Sequence, residues 1–321
     1  MSDPTTEDPT TTPMDPTSAN PTDPSAATAA GASDPIHPVE PADGPVEGEA
    51  APAVEVDVET DVPDRTFRDG EQILLIDRKK RRYLVTLEAG GEFHTHAGFV
   101  PHASIIGSPE GALLRSTRGA TFTAFRPTLS DFVLKMPRGA QVIYPKDLGP
   151  ILLLADIFPG ARVLESGVGS GALSMTLLRA GAHVTGYEIR ADFAARAVKN
   201  VTAFGGDELA EHYDVQVRDV YEGIGLRHLD RIVLDLPEPW QVVPHAEEAL
   251  RPGGIMVAYT PAITQAVQLR ERLVHSGFEL AETIEVLHRG WNIDGLSVRP
   301  DHRMVAHTGF LTHARLLPTP A

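Results

Sequence analysis

No cysteine occurs anywhere in the 321 residues. Disulfides, thiolate zinc sites and cysteine nucleophiles are therefore excluded. Long apolar runs are missing too. The longest, Ile151 to Phe158, is far shorter than the roughly 20 residues a membrane helix needs. The N-terminus lacks the basic-then-apolar order of a secretory signal, so the expectation is a soluble, cytoplasmic protein with no membrane partner. Positive charge is scarce, with 28 Lys and Arg against 44 Asp and Glu. That deficit is local: residues 1–66 hold fifteen acids and one base, Arg65, a net charge of −14, and the other 255 residues carry only −2.

What is present divides into three stretches. Residues 1–66 repeat Asp-Pro-Thr at 3–5, 8–10 and 15–17 amid Ala, Glu and Gly. Such a segment buries too little apolar surface to offset its ordering entropy, and it reads as a disordered acidic tail. Residues 67–127 contain short strand-like runs separated by Gly and Pro, which predicts a small β-domain. Ile73–Ile76 and Tyr83–Leu87 flank the run Arg78-Lys-Lys-Arg-Arg82, a hairpin with a cationic turn of the kind that meets phosphates. A solvated turn is the bland alternative, but Arg115, Arg118, Arg126, Lys135 and Arg138 nearby strengthen a cationic face. His94, His96 and His102 have no acid or Cys cluster to join them, so surface or hydrogen-bonded roles are expected and no metal.

Residues 128–321 carry the chemistry. Thr128 to Met136 reads as a helix capped by Thr128. Gln141 to Leu148 reads as a loop that places Tyr144, Lys146 and Asp147 before the next unit, followed by an apolar helix over Ile151 to Phe158. Val163 and Leu164 then lead into Glu165 and glycines at 167, 169 and 171, with the helical pattern Leu173, Met175, Leu177, Leu178 behind them. Strand, glycine turn and helix make the first unit of a nucleotide-binding α/β sheet. Gly167, Gly169 and Ala172 also satisfy the dinucleotide pattern, so this stretch alone does not choose the nucleotide.

Further strands end in acids. His183–Tyr187 ends in Glu188, where a ribose-binding carboxylate is expected; Tyr213–Arg218 ends in Asp219; Arg231–Leu234 ends in Asp235-Leu-Pro-Glu-Pro-Trp240. A helix over His245–Leu250, a turn at Pro252–Gly254, a strand over Ile255–Tyr259 and a helix over Gln265–His275 follow. Leu280–Leu287 and Thr308–Ala314 read as closing strands. The alternation predicts an α/β fold with a doubly wound, mostly parallel sheet.

The acids after strands two, three and four, together with Glu-x-Gly-x-Gly-x-Gly at 165–171, resemble class I S-adenosylmethionine-dependent methyltransferases. More specific are Tyr144-Pro-Lys-Asp147, Asp235-Leu-Pro-Glu-Pro-Trp240, Arg289-Gly-Trp-Asn-x-x-Gly-Leu-x-Val-Arg-Pro300 and His307-Thr-Gly-Phe-Leu311. Over roughly residues 67–317 these are similar to the TrmI-type tRNA (adenine-58-N1)-methyltransferase family, closest to its actinobacterial branch. The resemblance implies a Rossmann-like sheet with helices on both faces behind a small β-domain. It also implies a homotetramer, S-adenosylmethionine as cofactor and methylation of an adenine in the T-loop of tRNA. By position, Gly167, Val168, Gly169, Ser170, Gly171, Ala172 and Leu173 would line the cofactor. Glu188 would take the ribose hydroxyls, and Asp219 with Val220 the adenine ring. Asp235, between methyl donor and target base, would be the catalytic residue, and Tyr144, Lys146, Trp240 and Tyr259 are candidate substrate contacts.

The chemistry suits these residue types. Adenine N1 already has a lone pair, so no strong base is required. The ring becomes cationic as the methyl group arrives, and a carboxylate accepting from the N6 amine tightens its hold in the transition state. N1 lies on the pairing edge, so the base must leave its stack. Three other readings stand beside this one: a methyltransferase of a small molecule or protein carboxylate, a nicotinamide-dependent oxidoreductase, and a non-catalytic RNA-binding subunit.

Overall fold

The computed structural model describes residues 65–139 and 141–318. All of them fall in one of the two units into which the chain divides, Val62–Ala321. The expected tail lies outside the described residues except at its last two positions. Thr66 bridges to Pro109, and the Arg65 and Thr66 carbonyls accept from the Arg126 guanidinium at 2.9 and 3.1 Å. Those two residues therefore belong to the folded part.

The β-rich region holds β1 (Gln72–Asp77), β2 (Arg82–Thr86), β3 (Glu92–Thr95), β4 (Gly98–Pro101), β5 (Leu113–Arg115) and β6 (Thr121–Phe125). Four of these form a sheet in the order β2-β1-β6-β5, and β3 pairs with β4 as a separate hairpin. Alternation along β1 and β6 turns Ile73, Leu75, Phe122 and Ala124 inward with Phe67, Leu87 and Ile105, making a core of their own. The run Ser104–Ile106 reads as extended in the sequence, but Ser104 ends a 3₁₀ turn over His102–Ser104.

Then come α1 (Leu129–Lys135), α2 (Pro145–Leu154), β7 (Arg162–Ser166), α3 (Ala172–Arg179), β8 (His183–Glu188) and α4 (Ala191–Ala210). They are followed by β9 (Tyr213–Val217), β10 (Leu229–Asp235), α5 (Val243–Ala249), β11 (Leu250–Thr260), α6 (Ile263–Val274) and β12 (Phe278–Glu285). Last are β13 (Trp291–Asp294), β14 (Ser297–Pro300) and β15 (Phe310–Leu316). Seven strands form the main sheet in the order β12-β15-β11-β10-β7-β8-β9. The five from β11 to β9 are parallel, and β15 runs antiparallel to both of its neighbours.

Helices cover both faces, as the strand alternation requires. Val163, Val184, Val233 and Val257 pack with α1 to α4, whereas Leu164, Ile232, Leu234 and Met256 pack with α5 and α6. From β7 the chain winds one way into β8 and β9 and the other way into β10 and β11. The strand order reverses between β7 and β10, and ligands of such sheets bind in the crevice beyond the carboxyl ends there.

Three expectations need correction. The segment before the glycine turn is not a loop: Tyr144 is the N-cap of α2 and Pro145 its first residue, so Lys146 and Asp147 lie in a helical first turn. Proline is favoured there because its missing N–H has no intrahelical partner to lose. The helix correspondingly ends at Leu154 and not near Phe158. Pro252–Gly254 is no turn between elements but an irregularity within β11, whose pairing with β10 shifts between Leu229 and Arg231. Finally, the helix that the sequence suggests over Ala191–Phe204 continues as α4 to Ala210, through a kink at Gly206 with φ +68°, a left-handed conformation that glycine adopts at little cost.

Candidate active site

The glycine turn is dictated by the space around it. Gly167 has φ +85°, and a Cβ there would collide with the Asp235 carbonyl at the end of the adjacent strand. Gly171 has φ +84° and stands against Ala197 of α4, which an added Cβ would meet at 3.3 Å. The turn is therefore pressed onto β10 on one side and α4 on the other. Asn200 of α4 fixes it, donating to the Ser170 carbonyl at 2.9 Å and the Pro137 carbonyl at 3.0 Å. Ala172 and Leu173, buried, begin α3 directly behind the turn. Val142 and Ile143, also buried, face Gly167–Ser170 and Asp235 across a narrow cleft. The place of Gln141–Leu148 before the glycine turn suggests a cover for the cofactor; of that segment these residues and Gln141 line the cleft, and Lys146 does not.

Three carboxyl groups converge here. Glu188, nearly buried at the end of β8, accepts from the Gly169 N–H and the Arg190 N–H, both at 3.0 Å. Asp235 is partly buried beside the turn; burial, with the Glu188 charge adding, pushes its pKa up to about 7. Glu165 in β7 is the residue the sequence reading left without a role. It is fully buried, and among the described residues neither carboxyl oxygen has a partner in good hydrogen-bond geometry, Ser174 lying near enough only to offset part of the burial effect. Its neighbour Ser174 is 2.7 Å from the Tyr213 hydroxyl. Burial pushes Glu165 up to about 8, Asp235 and Glu188 adding to the effect and Ser174 opposing it. The hydroxyl of Ser170 is likewise buried without a partner.

An unpartnered buried carboxyl beside two others makes a site for a cationic ligand. S-adenosylmethionine, with its ammonium and sulfonium centres, fits that donor set. The pyrophosphate of a nicotinamide dinucleotide does not, because it is an anion with no proton to donate to this cluster of carboxyl groups. Asp219 caps the turn after β9, accepting from the Tyr221 N–H at 2.9 Å, with Val220 buried next to it. Both adjoin Glu188, whose carbonyl accepts from Arg218 N–H at 3.1 Å.

The four candidate substrate contacts part company. Tyr259 is paired with Asp235 across β10 and β11 and so stands beside it, but its hydroxyl donates to the Thr308 carbonyl at 2.5 Å and its pKa is pushed up to about 12, chiefly by burial. Lys146 is spent on structure. Its buried ammonium sits 2.7 Å from Asp147 and 2.6 Å from the Val286 carbonyl, and the Thr308 hydroxyl donates to the other Asp147 oxygen at 2.6 Å. The Tyr-Pro-Lys-Asp and His-Thr-Gly-Phe-Leu segments are thus two halves of one buried polar network behind Tyr259. Asp147→Ala, which strands the Lys146 charge, is expected to destabilise the fold by about 3–5 kcal/mol in thermal or urea unfolding. Trp240 packs partly against the core on the α5–α6 face. Tyr144 is half-buried at the N-cap of α2, and its side chain makes no hydrogen bond among the described residues.

Among the described residues no group of three or more His, Asp or Glu is arranged to hold a metal ion. His94 lies 3.2 Å from Glu92 on the surface, and His102 accepts from the Glu88 N–H at 3.0 Å. Among the described residues no helix is long and apolar enough to cross a membrane.

The profile of a family described as the tRNA methyltransferase complex GCD14 subunit matches residues 123–298, and that of TrmI-like N-terminal regions matches residues 66–114. A Thermus thermophilus protein, tRNA (adenine(58)-N(1))-methyltransferase TrmI, is 38% identical over 248 residues, covering 76% of this chain and 96% of its own. The chain belongs to the TrmI family. A Methanocaldococcus jannaschii TrmI described as acting on adenine 57 and adenine 58 is 36% identical over 274 residues, covering 77% of this chain and 95% of its own. The solved structure of the Aquifex aeolicus TrmI superposes with a TM-score of 0.70 at 29% identity, covering 79% of this chain and all of that one. A Thermotoga maritima structure described as an S-adenosylmethionine-dependent O-methyltransferase superposes at 0.76 with 32% identity, covering 80% and 97%. The two profile matches fall one on the β-rich region and the other on the sheet that carries the three carboxyl groups.

Proposed function

We infer that the chain transfers a methyl group from S-adenosylmethionine to N1 of adenine 58 in the T-loop of tRNA, and that Asp235 accepts from the N6 amine of that adenine. The observation that carries the reading is the position of Asp235. It stands at the sheet's switch point, against the cofactor turn, and its carboxyl group has no hydrogen-bond partner among the described residues.

When bound, S-adenosylmethionine supplies an electrophilic methyl group on a sulfonium centre. Glu165 holds the ammonium of the methionine part, since it is the buried carboxyl without a partner beside the turn. Glu188 has lone pairs beyond the two its backbone donors occupy, which suits the ribose diol. Asp219 and Val220 border the adenine of the cofactor. Gly167, Val168, Gly169, Ser170 and Gly171 allow the main chain to approach the ligand closely, and Ala172 and Leu173 place a helix N-terminus behind it. Asp235, ionised, accepts from N6 and favours the positive charge that develops on the target ring, while N1 keeps its lone pair and needs no base. Burial of the crevice keeps this carboxylate poorly hydrated, which strengthens its pull on the developing charge. Tyr144, with its free hydroxyl and half-exposed ring, is suited to stack on the extruded base.

The test is methyl transfer from radiolabelled S-adenosylmethionine to unmodified tRNA transcript, with adenine 58 present or substituted. Label that requires adenine 58 supports the reading. Label on small molecules or protein carboxyls only, with S-adenosylmethionine binding intact, would move the chemistry to a different acceptor.

The working form is a cytoplasmic homotetramer. Association of copies, though not their number or location, is supported by the β13–β14 hairpin, which leaves Trp291, Ile293, Leu296 and Val298 exposed, Leu296 completely. A contiguous apolar projection of this kind marks an association surface. Substituting aspartate for both Ile293 and Leu296 is expected to reduce the assembly to smaller species by light scattering, with thermal stability of the protomer fold little changed.

A further inference from the structure

Near-neutral overall charge outside residues 1–66 means that an RNA-binding face must be a local excess of cations. The β1–β2 turn provides one, and its construction separates anchors from free charges. Asp77 closes the turn: one carboxyl oxygen accepts from the Lys79 and Arg81 N–H groups at 2.8 and 2.9 Å, and the other from the Arg81 guanidinium at 2.6 Å. The Lys80 N–H donates to the Asp77 carbonyl at 2.9 Å, with Lys80 held at φ +63°. Arg82 is tied to Asp131, the same carboxyl that closes the capping box of α1. Two of the five cations therefore fasten the hairpin, one to itself and one to the helix beside the methyltransferase sheet.

The remaining three, Arg78, Lys79 and Lys80, are exposed, and their side chains make no hydrogen bond or ion pair among the described residues. They border two clefts that meet at Arg78 and Thr121, and the only acid lining either cleft is Asp77, already engaged. Arg115, opposite Thr121 in the β5–β6 register, is exposed as well, and its guanidinium has no hydrogen bond or ion pair among the described residues. An edge strand accounts for scattered lysines on its open side, because they block edge-to-edge pairing. It does not account for three successive unneutralised cations on a turn whose backbone is held by a carboxylate. Keeping like charges adjacent costs energy that an anionic partner returns.

We propose that Arg78, Lys79 and Lys80 form a preset phosphate-binding turn that engages the tRNA backbone. This rests on the tRNA reading above. The turn carries no base-reading geometry, so its contribution is affinity and register, not choice of the methylated base. The engagement is electrostatic and releases counterions, and its signature is salt dependence.

The experiment uses the full chain carrying Arg78→Ala, Lys79→Ala and Lys80→Gly together, glycine being chosen because position 80 has a left-handed backbone. KM for unmodified tRNA is expected to rise about tenfold or more near physiological salt, and the slope of log affinity against log salt to fall by about 2. The kcat at saturating tRNA, S-adenosylmethionine affinity and melting temperature stay at wild-type values, and the charge-preserving variant Arg78→Lys retains the wild-type slope. An unchanged slope and KM with an intact fold would overturn the proposal. The wild-type protein assayed alongside separates the two claims: if it binds S-adenosylmethionine but methylates no tRNA, the underlying reading has failed, and the phosphate-binding turn with it.

Discussion

Asp235→Ala is expected to lower kcat on tRNA by about 10²–10³-fold, the usual effect of removing one preorganised electrostatic contact to a developing charge. S-adenosylmethionine affinity should change by less than about tenfold, because the contact that matters forms with the target base. The pH dependence follows from the same residue. In the free protein the Asp235 carboxyl titrates near 7, held there by burial and by the charge of Glu188. The useful form is the carboxylate, so kcat/KM should rise with pH through about 7 and level off above it. In the Asp235→Ala variant that limb should disappear. Neighbouring Glu165 and Glu188 interact with Asp235, so the observed midpoint belongs to the group of three. A rate that is flat between pH 6 and 8 in the wild-type protein would contradict the assignment.

Glu165→Gln is the second large effect, and it acts on cofactor binding rather than on the chemical step. Losing one charge-assisted contact to an ammonium is worth about 1.5–3 kcal/mol, so affinity for S-adenosylmethionine should fall by about 10- to 100-fold. Proton linkage gives an independent reading. In the unliganded fold Glu165 titrates near 8 because it is buried, and at pH 7 it is protonated. A cation bound beside it pulls that value down, so binding at pH 7 should release about one proton. Calorimetry in buffers of different ionisation enthalpy measures this, and the Gln variant should show the release reduced. Stability has the opposite sign from the common acidic case. The folded value of Glu165 lies above its unfolded value of 4.5, so its favourable contribution is complete below about 4.5 and is lost as pH rises through about 8. The unliganded Gln variant should therefore melt above the wild-type protein at pH 8.5 and close to it at pH 5.

Both effects depend on residues that the sequence presented unequally. Asp235 was legible because an acid at a strand end, followed by two prolines that keep the chain from turning at once into helix, has few structural uses. Glu165 stood in the open at the head of the glycine motif, yet nothing in its spacing reveals that both oxygens lack partners. That property depends on which way Ser174 and Tyr213 turn, and so on packing. The order of the parallel strands was readable from alternation, since helix and strand periods differ and the acids mark where strands end. The start of α2 was misread because its apolar pattern begins only at Leu148, although Pro145 carried the helix-start signal. Lys146 looked like a ligand contact for the same reason; a lysine on a loop is exposed, whereas in the first turn of this helix it is driven against Asp147 and buried. The β13–β14 hairpin shows the limit most clearly. Trp291, Ile293 and Val298 alternate as a half-buried strand would, and the chain by itself gives them nothing to bury against.

The most direct measurement of the mechanism pairs Asp235 with the group it is said to hold. Unmodified tRNA carrying either adenosine or purine riboside at position 58 would be offered to the wild-type protein and to Asp235→Ala, with single-turnover methylation rates recorded for all four combinations. Any change in N1 basicity affects both proteins alike and cancels in the cycle. The expected result is a large penalty for losing the N6 amine in the wild-type protein and little additional penalty in Asp235→Ala. Equal penalties in the two proteins would mean that Asp235 and N6 act independently, and the proposed hold on the target adenine would be wrong.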